Sequence, residues 1–166
     1  MIRIRKIERE DLDDLFALDH LCFRPGIAYA KADLNYFIRH PRSLSYAAVD
    51  PAGKLAGFAI AEFYLEAGKH VGHIVTIDVD PQLRRNGIGK QLMRAMMDGL
   101  AVLDAVTVRL EVAVDNTEAL SFYQQLGFTR AGRIPGFYMG TLDALTMERP
   151  LVGTAGDHFP EEGTAE

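Results

Sequence analysis

The stretch from His73 to Val114 constrains this chain more than any other. His73-Ile74-Val75-Thr76-Ile77-Asp78-Val79 is rich in β-branched residues and lies between Gly72 and Pro81, as a central strand does. From about Gly87 to Leu103, Leu92, Met96, Leu100 and Leu103 fall on one face with Met93 and Met97 alongside. That spacing predicts a long amphipathic helix whose methionines are core packing. Val106, Val108, Leu110, Val112 and Val114 then alternate with Thr107, Arg109, Glu111 and Ala113, the period of two of a strand. A strand, a helix and a second strand in that order make a right-handed crossover between parallel neighbours.

The flanking segments read as helices and antiparallel strands. Residues 2–7 alternate isoleucine with Arg or Lys, a half-buried strand. Asp11 is placed to cap a helix carrying Leu12, Leu15, Phe16 and Leu18, which Pro25-Gly26 breaks. A second helix fits Lys31 to Arg39 and stops before Pro41. Strands near Ser45–Val49 and Leu55–Leu65 flank the turn Asp50-Pro51-Ala52-Gly53, a hairpin. A helix is expected from Thr117 to Leu126, ended by Gly127 with positive φ. Strands near Phe128–Arg133 and Leu142–Arg149 close the domain.

These elements predict one mixed α/β domain over residues 1–150. The remainder, 151–166, holds four acidic residues and no Lys or Arg and reads as a disordered tail. Without it the chain has 18 basic and 19 acidic residues, too balanced for a general nucleic-acid surface. Apolar runs are too short for a membrane span, and Cys22 is the only cysteine, so a cytoplasmic protein without disulfides is expected. His70 and His73 resemble a metal pair, but their odd spacing in a strand sends them to opposite faces, and no metal is expected.

Between the central strand and the long helix the chain reads Arg84-Arg85-Asn86-Gly87-Ile88-Gly89-Lys90. A helix start of this kind binds anions, because its first amides lack partners and the helix dipole adds positive charge. It is not a P-loop, since Gln91 follows Lys90 and position 84 is not glycine, and Leu92 rules out the dinucleotide fingerprint. Taken alone, the segment reads equally as a solvated turn.

From His73 onward the chain resembles the GNAT acetyltransferases, whose pyrophosphate loop is matched by Arg84, Gly87 and Gly89. Leu110-Glu111-Val112, Asn116, Ala119, Phe122-Tyr123 and Leu126-Gly127-Phe128 resemble the RimI and Ard1 group of protein N-terminal acetyltransferases in order and spacing, and the block from Gly136 to Met147 does so more loosely. The resemblance implies the GNAT fold: a single mixed, mostly antiparallel twisted sheet of about seven strands flanked by four helices, with a central parallel β-α-β acetyl-CoA site. It implies acetyl-CoA as acetyl donor, bound by Ile77, Asp78, Val79, Arg84, Arg85, Asn86, Gly87, Ile88, Gly89, Lys90, Asn116 and Tyr123. It also implies Glu111 as general base, Tyr123 as general acid, and backbone amides of the splayed strand as holders of the acetyl carbonyl.

Each residue also has a plainer reading. Glu111 can be a surface ion-pair partner of Arg109 or Arg130, Tyr123 a core tyrosine, and Asn116 an N-cap. Cys22 reads as core rather than nucleophile. Tyr29 and Tyr138, with Tyr36, are candidates for the acceptor site. The expected acceptor is a protein or peptide N-terminal amine; a small amine, or a non-catalytic acyl-CoA-binding module, are the alternatives. The sequence leaves monomer or homodimer open.

Overall fold

The computed structural model describes residues 1–151. In chain order the elements are β1 (Arg3–Lys6), α1 (Leu12–Cys22), α2 (Lys31–Arg39), β2 (Ser43–Val49), β3 (Leu55–Glu66), β4 (Lys69–Val79), α3 (Ile88–Val102), β5 (Ala105–Ala113), α4 (Thr117–Gln125), β6 (Thr129–Tyr138) and β7 (Leu142–Pro150). All seven strands join one sheet in the order β1-β2-β3-β4-β5-β7-β6. Only β4 and β5 run parallel, joined through α3 as the crossover rule requires. This is the mixed α/β GNAT fold expected above. Among the described residues no helix is long and apolar enough to cross a membrane.

Local chemistry explains the punctuation. Asp50 Oδ1 accepts from the amides of Ala52 and Lys54, while Gly53 takes φ of 83°, which turns β2 into β3. Gly127, at φ 88°, follows α4 as a left-handed stop. Asp11 departs from the expectation: it precedes α1 but does not cap it. Its carboxylate instead takes both guanidinium nitrogens of Arg5, at 2.7 and 2.8 Å, and the Glu8 amide, a charge-assisted fork stronger than one cap bond. Two strands are longer than predicted, β4 beginning at Lys69 and β6 reaching Tyr138. Leu151 still donates its amide to Val106 O, and the tail expected beyond it lies outside the described residues from 152 onward.

Each face of the sheet has its own core. Leu92, Met93, Met96, Met97 and Leu100 of α3 pack with Val108, Leu110, Val112 and Met147. On the opposite face Leu15 and Leu18 of α1 and Leu34 of α2 close over Phe58 and Ile60 of β3. A bulge in β4 divides the two. Thr76 is opposite Ile60 and Ile74 opposite Ala61, leaving Val75 unpaired. One extra residue reverses the inward and outward phase of everything after it. Ile74, Ile77 and Val79 therefore all pack on the α3 side, Val75 packs on the α1 side, and Asp78 turns toward α1, where it meets Asp19.

Leu92 is wholly buried in the α3 core. Leu92→Ala is expected to cost about 2–5 kcal/mol, read in urea denaturation as a lower midpoint with an unchanged slope.

Candidate active site

The sheet opens at its centre. β4 and β5 pair only from His70 to His73, opposite Ala105 to Arg109, and then part. The Asp80 amide donates across to Ala56 O of β3, so on an alternating strand Ile77 and Val79 turn their amides to the other edge, the one β5 has left. Val79 O on that edge accepts from Arg84 Nε at 3.2 Å and from Cys22 Sγ at 3.3 Å. Burial pushes the Cys22 thiol up to about 11, so it is a protonated donor and no nucleophile.

Below the opening, the turn into α3 is built for an anion. Asp80 caps a short 3-10 turn at Pro81–Leu83 by accepting from Gln82. Arg85 holds φ of 65° and Gly87 φ of 76°, and the Asn86 side-chain amide donates to Leu83 O and Arg84 O. The first intrahelical bond is Gln91 N to Gly87 O at 3.0 Å, which leaves the amides of Ile88, Gly89 and Lys90 at the free helix start. The side chains of Arg84, Arg85 and Asn86 are exposed beside them. Gly89 serves packing: a Cβ there would lie 3.1 Å from the Phe122 ring, so its absence lets α3 begin against α4. These residues fit a pyrophosphate, and the edge above them fits an extended pantetheine arm.

Asn116 and Tyr123, two more predicted residues, belong to α4 and its cap. Asn116 Oδ1 accepts from the Ala119 amide at 3.1 Å, which is the N-cap reading. Tyr123 is 7% exposed and its ring is wedged edge-on between Phe122 and Phe128. Burial, with the nearby charge of Asp78, raises its phenol pKa, so the group stays O–H and can only donate a proton.

Glu111 lies on the other side of the opening. Its carboxylate bonds to neither Arg109 nor Arg130; Oε2 is 2.5 Å from His73 Nε2. Arg109 is taken by Glu66 and Glu148. His73, discounted above as half of a metal pair, is the partner of Glu111 that sequence reasoning missed. His70 does diverge from it, its Nδ1 donating to Leu103 O at 2.8 Å. Among the described residues no three metal-ligating side chains cluster. The His73–Glu111 pair lines a cleft of about 390 Å³ together with Tyr64, Arg109 and Thr146.

Two of the three candidate tyrosines gather here. Tyr29 OH donates to Val75 O at 3.3 Å, and burial together with the charges of Tyr138, Asp19 and Glu111 raises its pKa. Tyr138, at the end of β6 rather than in a loop, is pushed up to about 12 by burial and by Glu111. Tyr36 is 57% exposed on α2, against Phe37 and His40. A carboxylate bonded to an imidazole on one wall, a protonated phenol on the other and outward amides between them can together take up a proton, deliver one and stabilise an oxyanion.

Asn116→Ala is expected to cost about 1 kcal/mol through loss of the α4 cap, seen as a lower melting temperature.

The Acetyltransferase (GNAT) family model matches residues 9–128. N-alpha-acetyltransferase 20 of Dictyostelium discoideum is 32% identical over 148 residues, covering 87% of this chain and 85% of that protein. The crystal structure of the ribosomal-protein-S18-alanine N-acetyltransferase from Escherichia coli superposes with a TM-score of 0.81 at 27% identity, covering 95% of this chain and 97% of that one. Ard1 from Thermoplasma volcanium gives a TM-score of 0.81 at 28% identity, covering 91% and 98%. With the family matched over most of its length and the fold shared throughout, the chain belongs to the GNAT acetyltransferases and is an acetyl-CoA-dependent N-acetyltransferase.

Proposed function

We propose that the chain acetylates the N-terminal α-amine of a protein or peptide, with the His73–Glu111 pair as its base and Tyr123 as its acid. The observation that carries this reading is the 2.5 Å bond between His73 Nε2 and Glu111 Oε2 in a cleft of about 390 Å³. The names of the relatives support the acceptor class, since the similar proteins from Dictyostelium discoideum and Escherichia coli are N-alpha- and ribosomal-protein alanine N-acetyltransferases.

Acetyl-CoA supplies an acetyl thioester when bound. Arg84, Arg85, Asn86 and Lys90, with the free amides of Ile88, Gly89 and Lys90, hold its pyrophosphate, with Asn116 at the start of α4 as a further contact. The outward amides of Ile77 and Val79 hold the carbonyl oxygen as charge develops on it; Asp78 contributes backbone only, because its side chain is turned to the other face. Glu111, oriented by His73, takes the proton that the amine must lose as its nitrogen bonds to the acetyl carbon. Tyr123 gives its proton to the sulfur as the carbon–sulfur bond breaks. Tyr29 and Tyr138 wall the acceptor side.

Thiol release and mass spectrometry over peptides with different N-terminal residues, alongside common small amines, test this. Peptides are expected to gain one acetyl group at the α-amine. Glu111→Gln and Tyr123→Phe should each slow turnover by about 10²-fold, and His73→Phe by about tenfold or more. Acetylation of small amines alone would overturn the acceptor. Undiminished turnover in Glu111→Gln and Tyr123→Phe would overturn the assigned roles.

A further inference from the structure

Beneath the cleft two carboxyl groups that the acetyl transfer does not use are buried against each other. Asp19 of α1 is 0% exposed and Asp78 of β4 is 1% exposed. Each has one oxygen satisfied: Asp78 Oδ1 accepts from Thr76 Oγ1 and Asp19 Oδ2 from the Tyr29 amide, both at 2.6 Å. Asp19 Oδ1 and Asp78 Oδ2 are buried with no hydrogen-bond partner, and each carboxyl is an interacting neighbour of the other. Carboxylates are acceptors only, so a bond between them requires one shared proton. Around the pair stand His20 and Cys22 from α1, Tyr29, Thr76 from β4, Arg84 from the turn before α3 and Tyr123 from α4. Burial and mutual repulsion keep the proton on Asp78 well above the ordinary carboxylate range.

The pair lies at the root of the connection between α1 and α2. Asp19 grips the Tyr29 amide, His20 Nε2 sits 3.0 Å from Tyr29 O, and the Tyr29 hydroxyl reaches Val75 O. At the connection's other end Cys22 bonds to Val79 O. Between them Gly26 lies so close to Met139 that a Cβ would collide with its sulfur. The connection thus crosses the opening and meets the β6–β7 turn, and the two carboxyls are one of its attachments to β4, beside Tyr29–Val75 and Cys22–Val79.

We propose that Asp19 and Asp78, joined through one shared proton, form a positioning latch that holds Tyr29 and the α1–α2 connection over the opening between β4 and β5, so that acceptor binding depends on that proton. The proposal rests on the reading of Tyr29 as a wall of the acceptor site. Loss of the proton at alkaline pH sets two negative charges against each other and loosens the connection. A side-chain amide at Asp19 replaces the proton permanently; Asp19→Ala removes both that bond and the oxygen that holds the Tyr29 amide.

The test compares the wild-type chain with Asp19→Asn and with Asp19→Ala. At neutral pH Asp19→Asn is expected to keep acceptor KM within about twofold, while Asp19→Ala raises it about tenfold or more, since the Tyr29 amide is left without its acceptor. As pH rises, acceptor KM of the wild type should climb relative to Asp19→Asn, with the ratios of kcat and of acetyl-CoA KM unchanged. A second readout needs no turnover. The folded chain holds a proton that the unfolded chain releases in the ordinary carboxylate range, so stability falls from that range up to the raised value. The wild-type melting temperature should therefore decline more steeply with pH than that of Asp19→Asn. Parallel melting curves would overturn the shared proton. Diverging melting curves with a pH-independent KM ratio would overturn the positioning role and leave the pair a structural bond. If no peptide is acetylated, the acceptor reading fails by itself, and hydrogen exchange at the Tyr29 amide decides the latch: protection lost with pH faster in wild type than in Asp19→Asn supports it, and equal loss overturns it.

Discussion

Parallel strands that pair over a few residues and then diverge leave backbone groups on both inner edges without ladder partners. In water-excluding surroundings such groups must be satisfied by something else. Here β4 and β5 separate after His73 and Arg109. Side chains satisfy the carbonyl of Val79, while the outward amides are left for a ligand. An extended acyl chain with an amide backbone of its own is chemically suited to replace the missing strand. The helix start of α3 lies at the foot of the same gap, so amides for a carbonyl and amides for a phosphate come from one continuous stretch of chain.

The β4 bulge determines which side chains border that gap. Without the extra residue at Val75, Ile77 and Val79 would share a face with His73, and Asp78 would face the α3 core. With it, Ile77 and Val79 pack on the α3 core, the His73–Glu111 pair lies on the opposite face, and Asp78 is brought against Asp19. A buried pair of carboxyls is costly unless a proton and further donors satisfy it. Thr76 and the Tyr29 amide supply those donors, which ties the acceptor-side connection to the strand it covers. The same low-dielectric surroundings keep Tyr123 and Tyr138 protonated, as a proton donor must be.

Most of the architecture was legible in the sequence. The crossover from His73 to Val114 follows from a β-branched run, a helical period and a period of two, all local patterns. Gly87, Gly127 and Pro41 marked boundaries for conformational reasons that need no neighbour. Asp11 was misread because its stronger partner, Arg5, lies on a different element.

The sequence by itself determined the order and type of the elements, the glycine-rich basic start of α3 and the presence of Glu111 and Tyr123 at the spacing of an acetyltransferase. Those are properties of short segments, and short segments carry them as period, turn chemistry and motif. Only the tertiary structure decided that Glu111 is held by His73, that the opening begins after four paired residues of β4, and that Asp19 and Asp78 share one buried site. Each depends on strand register and on a single-residue bulge. A shift of one residue exchanges the two faces of a strand while leaving its pattern of residues unchanged.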